Sequence, residues 1–173
     1  MEDLIFIIAQ GFGIVACIFS VISMLSKNIT GALIFQMLGN IAIAINFGMV
    51  DGISGAVVCI IGTIQTLVMF IMRKKEIEPK GWLIGLFLIA YITAAVVMYS
   101  KWFDVLSGIA AVTFAVAVAQ KKTSNYRMIM LVNSCLWIVF DFCAGAYTAI
   151  ITHGIILASI IVGMIGLDAK KEK

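Results

Sequence analysis

Seven long apolar runs, separated by short polar joins, constrain this chain more than any other feature of its sequence. A helix rises about 1.5 Å per residue, so roughly 20 apolar residues cross the hydrocarbon core of a bilayer. With 63% hydrophobic and 12% charged residues, the chain has too little polar side chain to cover a soluble surface. We therefore predict an all-α integral membrane protein with seven transmembrane helices. The predicted spans are Leu4 to Leu25, Ala32 to Val50, Ile53 to Met72, Trp82 to Tyr99, Trp102 to Ala119, Met128 to Ala144 and Tyr147 to Leu167.

The distribution of lysine and arginine predicts how the spans are oriented, because cytoplasmic loops retain these residues. With seven spans, eleven of the twelve basic residues fall on one side and only Lys101 falls on the other. This predicts an outside amino terminus and a cytoplasmic carboxyl terminus. Two joins are very tight, Asp51-Gly52 and Gly145-Ala146, and a re-entrant pair is the alternative there. The eleven basic residues are Lys27, Arg73, Lys74, Lys75, Lys80, Lys121, Lys122, Arg127, Lys170, Lys171 and Lys173.

Several functional classes find little support in the sequence. The net charge of +3 comes from small basic groups between apolar runs, so no nucleic-acid partner is expected. The four cysteines show no CxxC pair and no flanking histidine, which argues against a disulfide framework or a zinc site, and no metal or cofactor is expected. The chain begins without a basic stretch, so the first apolar segment is expected to be retained as a helix. These cysteines are Cys17, Cys59, Cys135 and Cys143.

The first and last thirds of the chain match each other at a shift of 95 residues. This shift pairs Gly13 with Gly108 and Asn46 with Asp141, among other positions. Seven spans would then divide into two parallel three-helix repeats joined by a linker helix, with a binding site where the triplets meet. The predicted units are residues 1–75 as the first repeat, 76–100 as the linker region with the fourth helix, and 101–173 as the second repeat.

Polar side chains inside the spans are the candidates for function, because ionisable groups are costly in lipid. Only Asp141 and His153 are ionisable there, at similar depths near the outer side. Asn133 and Trp137 precede Asp141 at four-residue spacing, which predicts a shared helix face. We expect Trp137 to stack on a substrate, Asn133 and Asn46 to orient it, and Asp141 with His153 to add a proton-sensitive or cation-selective element.

Each of these side chains also has a structural interpretation. Asp141 would extend to outer water, His153 would bond a neighbouring helix, and Trp137 would pack between helices. In the first triplet, Gln36 and Asn40 form another pair four residues apart, and we expect Asn40, together with Gln65 of the third span, to line the transport path.

Three segments carry a family resemblance: Ala9 to Gly13, Asn46 to Gly55, and Cys135 to Gly145. Together they resemble the YgjV family of bacterial inner-membrane proteins over nearly the whole chain. That family in turn resembles the SWEET, PQ-loop and PnuC superfamily, in which three helices, one linker and three helices carry sugars, vitamins or amino acids by facilitated diffusion. The resemblance implies a SWEET-like small-molecule transporter in the bacterial inner membrane.

The sequence departs from the SWEET-type pattern in two ways. No Pro-Gln motif occurs, and the only proline, Pro79, lies in a predicted cytoplasmic loop, so glycines would have to supply any bending. In SWEET-type carriers a tryptophan on the middle helix and an asparagine on the last helix line the pocket. Trp137 fits the first role, whereas the third and seventh spans have no asparagine. They offer Thr63, Gln65, His153 and Ser159.

The expected function is transport of a small hydrophilic solute, by facilitated diffusion or linked to protons. The expected partners are membrane lipids and this solute, and the sequence leaves the oligomeric state open, a homo-oligomer included. No enzyme is expected, because the sequence has no HExxH, GxSxG or paired-acid motif. The alternative is a non-transporting membrane scaffold or accessory protein, which predicts that a neighbouring helix fills the polar face of the sixth span.

Overall fold

The described part of the chain folds into seven α-helices. A computed structural model describes residues 2–49, 53–145 and 147–168. The join at Asp51-Gly52, residue Ala146 and the basic residues Lys170, Lys171 and Lys173 lie outside the described residues. A π-helical turn, Met164–Asp168, follows the last α-helix. The helices are α1 (Glu2–Leu25), α2 (Ile29–Met49), α3 (Ile53–Lys74), α4 (Gly81–Val97), α5 (Asp104–Val118), α6 (Thr123–Ala144) and α7 (Tyr147–Gly163).

Five of the helical segments are long and apolar enough to cross a membrane. The helices α4 and α5 are apolar but have only 17 and 15 residues. At about 1.5 Å per residue they rise about 26 and 23 Å, less than the roughly 30 Å of a hydrocarbon core. The spans that meet the criterion are Asp3–Leu25, Ile29–Met49, Gly55–Lys74, Thr123–Cys143 and Ala149–Asp168.

Local capping explains where several helices begin and end. Asn28 Oδ1 accepts a hydrogen bond from Gly31 N at 2.7 Å, so α2 begins at Ile29, three residues before the predicted span. The Asp104 carboxylate accepts hydrogen bonds from the backbone N–H groups of Ser100 and Lys101. These bonds hold the residues before Asp104 in a turn, and α5 begins at Asp104. Gly145 ends α6 in the left-handed region with φ 71°.

The helices pack as a ring in which sequence neighbours are also neighbours in space. The helix α2 lies against both α1 and α3, and α6 lies against both α5 and α7. The ring is completed by contacts of α1 with α7 and of α3 with α5, while α4 packs on α5 and α3. Its buried positions include many alanines, which let helix backbones approach closely, whereas isoleucine, valine and leucine side chains cover the outside.

Two arginines bind the carboxyl ends of helices at the basic end of the bundle, which we define as the end that carries Lys74 and Lys122. Arg127 is fully buried, and it donates from Nε to Met24 O at 2.7 Å and from Nη2 to Ser26 O at 2.5 Å. Its Nη1 forms an ion pair with Asp168 of the π-helical turn. The end of a helix leaves carbonyl groups without partners, and a cation there is favourable.

The placement of Arg127 in a loop was wrong, because α6 begins at Thr123 and carries this residue inside the helix. Arg73 performs a similar role for α5, donating from Nη2 to Ala119 O at 3.2 Å and to Gln120 O.

Gly163 allows α7 to approach Arg127 and the carboxyl end of α1 that Arg127 binds. A Cβ at Gly163 would lie 2.7 Å from Met24 O and 2.8 Å from Arg127 Nε, closer than van der Waals contact permits.

We therefore expect Gly163→Ala to destabilise the protein by about 1–3 kcal/mol, through overpacking against the backbone of α1. The measurement is thermal unfolding of the purified protein in detergent. Gly154→Ala is the matched control in the same helix, because a Cβ there meets nothing within 4 Å, and it should leave stability equal or slightly raised. Equal melting temperatures for wild type and Gly163→Ala would contradict this close approach.

Candidate functional site

An ionisable pair links α6 and α7 near the turn at Gly145. His153 Nδ1 lies 2.7 Å from Asp141 Oδ2. The Asp141 residue is 4% exposed, and the His153 side chain is 24% exposed. Because an ionised carboxylate can only accept, Nδ1 carries the proton when Asp141 is charged. The interpretation in which Asp141 extends alone to water is wrong, since its carboxylate is buried against α7.

Trp137 completes this cluster, one turn before Asp141. Its indole stacks on the His153 imidazole with ring centroids 5.7 Å apart and planes at 5°. Phe140 meets the same indole edge-on, at 5.5 Å and 90°. The contact between His153 and Asp141 therefore lies beside a flat aromatic surface.

The asparagines expected to line this site bind other helices instead. Asn133 Nδ2 donates to Ala110 O at 2.6 Å and to Thr113 Oγ1 at 3.0 Å, both on α5. Asn46 Nδ2 donates to Ala9 O of α1 at 2.6 Å. Four residues exceed one turn by about 40°, so two such steps place Asn133 about 80° around the helix from Asp141. The predicted shared face of Asn133, Trp137 and Asp141 therefore divides between two neighbouring helices.

A second group of polar side chains connects α1, α2 and α6 in the half of the bundle nearer the basic end. Tyr126 Oη donates to Gln36 Oε1 at 3.0 Å and lies 3.2 Å from Ser23 Oγ, which itself donates to Ala32 O at 2.8 Å. Gln36 Nε2 donates onward to Asn40 Oδ1 at 3.1 Å. All four linked side chains are buried. We call Ser23, Tyr126, Gln36 and Asn40 the polar chain.

Tyr126 precedes the predicted sixth span, yet its side chain is fully buried inside the bundle. Its distance of seven residues from Asn133, two helical turns on one face, was the signal that could have placed it inside the bundle.

Gln65 lies on α3 and belongs to neither group. It is fully buried, and its Nε2 donates to Ala115 O of α5 at 2.9 Å.

Two surface pockets are described, and neither is lined by Trp137, Asp141 or His153. One, of about 480 Å³, is an apolar groove between α4 and α5. The other, of about 290 Å³, lies at the basic end beside Glu78 and Lys121. Lys121 Nζ donates to Glu78 Oε1 at 2.6 Å, and this bond together with the ammonium charge lowers the pKa of Glu78. Within residues 2–49, 53–145 and 147–168, no three His, Cys, Asp or Glu side chains are grouped to hold a metal ion.

Apolar helices of membrane-spanning length, packed around buried polar side chains, define a multi-pass membrane protein. The chain belongs to the Imp-YgjV family of bacterial inner membrane proteins, whose family model matches residues 7–171. It is therefore a multi-pass protein of the bacterial inner membrane. No curated protein and no solved structure matches the chain.

We expect Tyr126→Phe to lower stability by about 1–3 kcal/mol, because it removes the hydroxyl that donates to Gln36 and leaves that buried oxygen without its donor. Unfolding monitored by circular dichroism in detergent measures the change. Tyr99→Phe is the control, since Tyr99 is exposed at the opposite end of the bundle and should behave as wild type. If both variants matched wild type, the polar chain would contribute nothing measurable to the fold.

Proposed function

We propose that this protein transports a small hydrophilic solute, such as a sugar, a vitamin or an amino-acid-like molecule, in the manner of SWEET-type carriers. The observation that carries the proposal is the pair of Asp141 and His153, in which a buried carboxylate on α6 meets a partly exposed imidazole on α7 that stacks on Trp137. Ionisable side chains in a membrane are costly and mark solute or proton pathways by default. Transport is either facilitated diffusion or linked to protons through this pair. In this proposal the chain is not an enzyme.

The packing of the ring supports a two-fold repeat of triplets. A shift of 95 residues relates α1, α2 and α3 to α5, α6 and α7. Under this shift the contacts within the first triplet match those within the second, and the contact of α3 with α5 matches that of α7 with α1. We infer that residues 1–75 and 101–173 are the two repeats and that α4 is the linker. The proposed pathway lies where the triplets meet, as in carriers built from parallel repeats.

The proposed orientation follows from the basic residues. The basic end of the bundle, where Arg73 and Arg127 bind the ends of helices, also carries Lys74, Lys80, Lys121 and Lys122. The opposite end carries Lys101. If the basic end faces the cytoplasm, the pair of Asp141 and His153 lies toward the outer side. A solute arriving from outside would then reach this pair first. The polar chain would close the inner half of the pathway.

A proton gives the pair a way to couple to the solute. When Asp141 is charged, His153 is held by its carboxylate and covers one face of the Trp137 indole. Protonation of Asp141 would weaken this hold, because the carboxylate loses its charge. In the proposed cycle His153 then moves aside, and the freed indole face receives the solute.

A scaffold or accessory protein is the second candidate, and a specific observation favours it. The amides of Asn46, Asn133 and Gln65 all donate to backbone carbonyls of neighbouring helices, as packing contacts do. In a scaffold, Asp141 and His153 would simply fasten α6 to α7.

Uptake of radiolabelled sugars, amino acids and vitamins into proteoliposomes, with and without a proton gradient, distinguishes the two candidates. We expect Asp141→Asn and Trp137→Ala each to reduce the uptake of an identified solute by about tenfold or more, equivalent to at least about 1.4 kcal/mol. Phe142→Leu is the control, because Phe142 follows Asp141 but is 71% exposed on the outside.

Two results would contradict transport through this site. The first is uptake no greater than that of empty liposomes for every solute tested. The second is wild-type uptake by both Asp141→Asn and Trp137→Ala.

A further inference from the structure

Side chains from three helices converge on Gly62 in the middle of α3. A Cβ at Gly62 would lie 3.0 Å from Asn40 Nδ2, 3.2 Å from Tyr91 Oη and 3.3 Å from Phe114 Cε1. These neighbours come from α2, α4 and α5, so one glycine is surrounded by an amide, a phenol and a phenyl ring. Because each of these atoms is so near the same point, Asn40 Nδ2 and Tyr91 Oη also lie near each other.

The two polar atoms at this point, Asn40 Nδ2 and Tyr91 Oη, have no hydrogen-bond partner among the residues that the structure describes. Gln65 Oε1, on the residue three positions after Gly62 in α3, also has none. Asn40 is 8% exposed and Tyr91 is 1% exposed. Inside a membrane an unpaired buried polar group costs several kcal/mol, so groups left in this state require an explanation.

Packing does not explain these groups. Turning over the Asn40 amide alone would set its Nδ2 against Gln36 Nε2, and turning over Gln36 as well would pair Nδ2 with Gln36 Oε1 but place Asn40 Oδ1 at Gly62 in its stead, so one polar atom of Asn40 faces Gly62 in either arrangement. A phenylalanine at position 91 would fill the same space as Tyr91 and avoid burying an unpaired hydroxyl. The polar groups are therefore retained for something that the packed bundle does not itself supply.

We propose that Asn40, Tyr91 and Gln65 form a binding site around Gly62 for a neutral solute that carries hydroxyl or carbonyl oxygens. The Asn40 amide offers a donor, the Tyr91 hydroxyl a donor and an acceptor, and the Gln65 carbonyl an acceptor. The Phe114 ring supplies an apolar wall, and none of the side chains that converge on Gly62 is charged. A polyol or an uncharged amide matches this chemistry. We call these residues the Gly62 site.

The Gly62 site deepens the proposed transport function and rests on it. Asn40 lies near the middle of α2, where carriers with parallel repeats bind their solute, and the polar chain runs from it toward the basic end. In this structure the site is closed, since even a Cβ at Gly62 would touch three side chains. A solute would enter when the helices that carry Asn40 and Tyr91 separate from α3.

Binding to purified full-length protein in nanodiscs tests the Gly62 site, with xylitol as the polyol probe, nicotinamide as the amide probe and zwitterionic betaine as the comparison. We expect xylitol or nicotinamide to raise the melting temperature of wild type by about 2 °C or more, and betaine to have no effect. Tyr91→Phe should lose this rise and, without probe, should melt at or above the wild-type temperature. Tyr99→Phe, at an exposed tyrosine, should respond as wild type does.

Three results would overturn the Gly62 site: no rise with either probe in wild type, an unchanged rise in Tyr91→Phe, or a melting temperature of Tyr91→Phe several degrees below wild type. The last result would show that the hydroxyl stabilises the fold. Solute uptake separates this inference from the transport proposal. Uptake that persists unchanged in Tyr91→Phe supports a carrier without this site, whereas a thermal response without uptake supports the site and rejects transport.

Discussion

A polar group buried in an apolar bundle has to find its partner inside the bundle, and this constraint organises the structure. Arg127 of α6 binds the carboxyl end of α1, and Asn133 of α6 binds the backbone of α5. Gln65 of α3 also donates to the backbone of α5. Each bond ties together two helices that lipid alone would not hold, because hydrocarbon tails are as apolar as the side chains they contact.

Two places in the bundle differ from the rest: in one the buried polar groups pair through titratable side chains, and in the other they do not pair. Asp141 and His153 satisfy each other with groups that are each able to change charge. Around Gly62 the constraint is not met, since the free atoms of Asn40 and Tyr91 have no partner. A titratable contact and an unsatisfied one are the features expected of a pathway that a solute enters and leaves, and the bonds of the polar chain would separate its two ends.

The sequence was sufficient for what depends on local pattern. Apolar length located all seven helices, and the helix at each predicted span lies within a few residues of it. Helix ends were harder, since Asn28 and Asp104 set them through one and two side-chain hydrogen bonds, respectively, that hydropathy does not register. The criterion of length and hydropathy is met by five helical segments, and α4 and α5 are shorter than a bilayer core.

The candidate site was predictable only where its residues are close along one helix or across one turn. Asp141 and Trp137 are one turn apart, and Gly145 folds His153 back onto them. Tyr126 and Arg127 precede the predicted sixth span and are nevertheless buried, because their partners, Gln36 and Met24, lie on other helices far away in the chain. Contacts of that kind depend on which helices are neighbours, and no periodicity within a single helix contains that information.

The central claim is that the charge of Asp141 controls how His153, and with it α7, is held against α6. Distance measurement by electron spin resonance tests it directly, with labels at the exposed positions Val139 and Ile151 of a protein whose four cysteines are replaced by serine. These positions lie on α6 and α7 toward the end opposite the basic end. The account predicts two distance populations in nanodiscs whose proportions shift between acidic and alkaline pH, and no such shift in Asp141→Asn. A single distance at every pH in both proteins would contradict it.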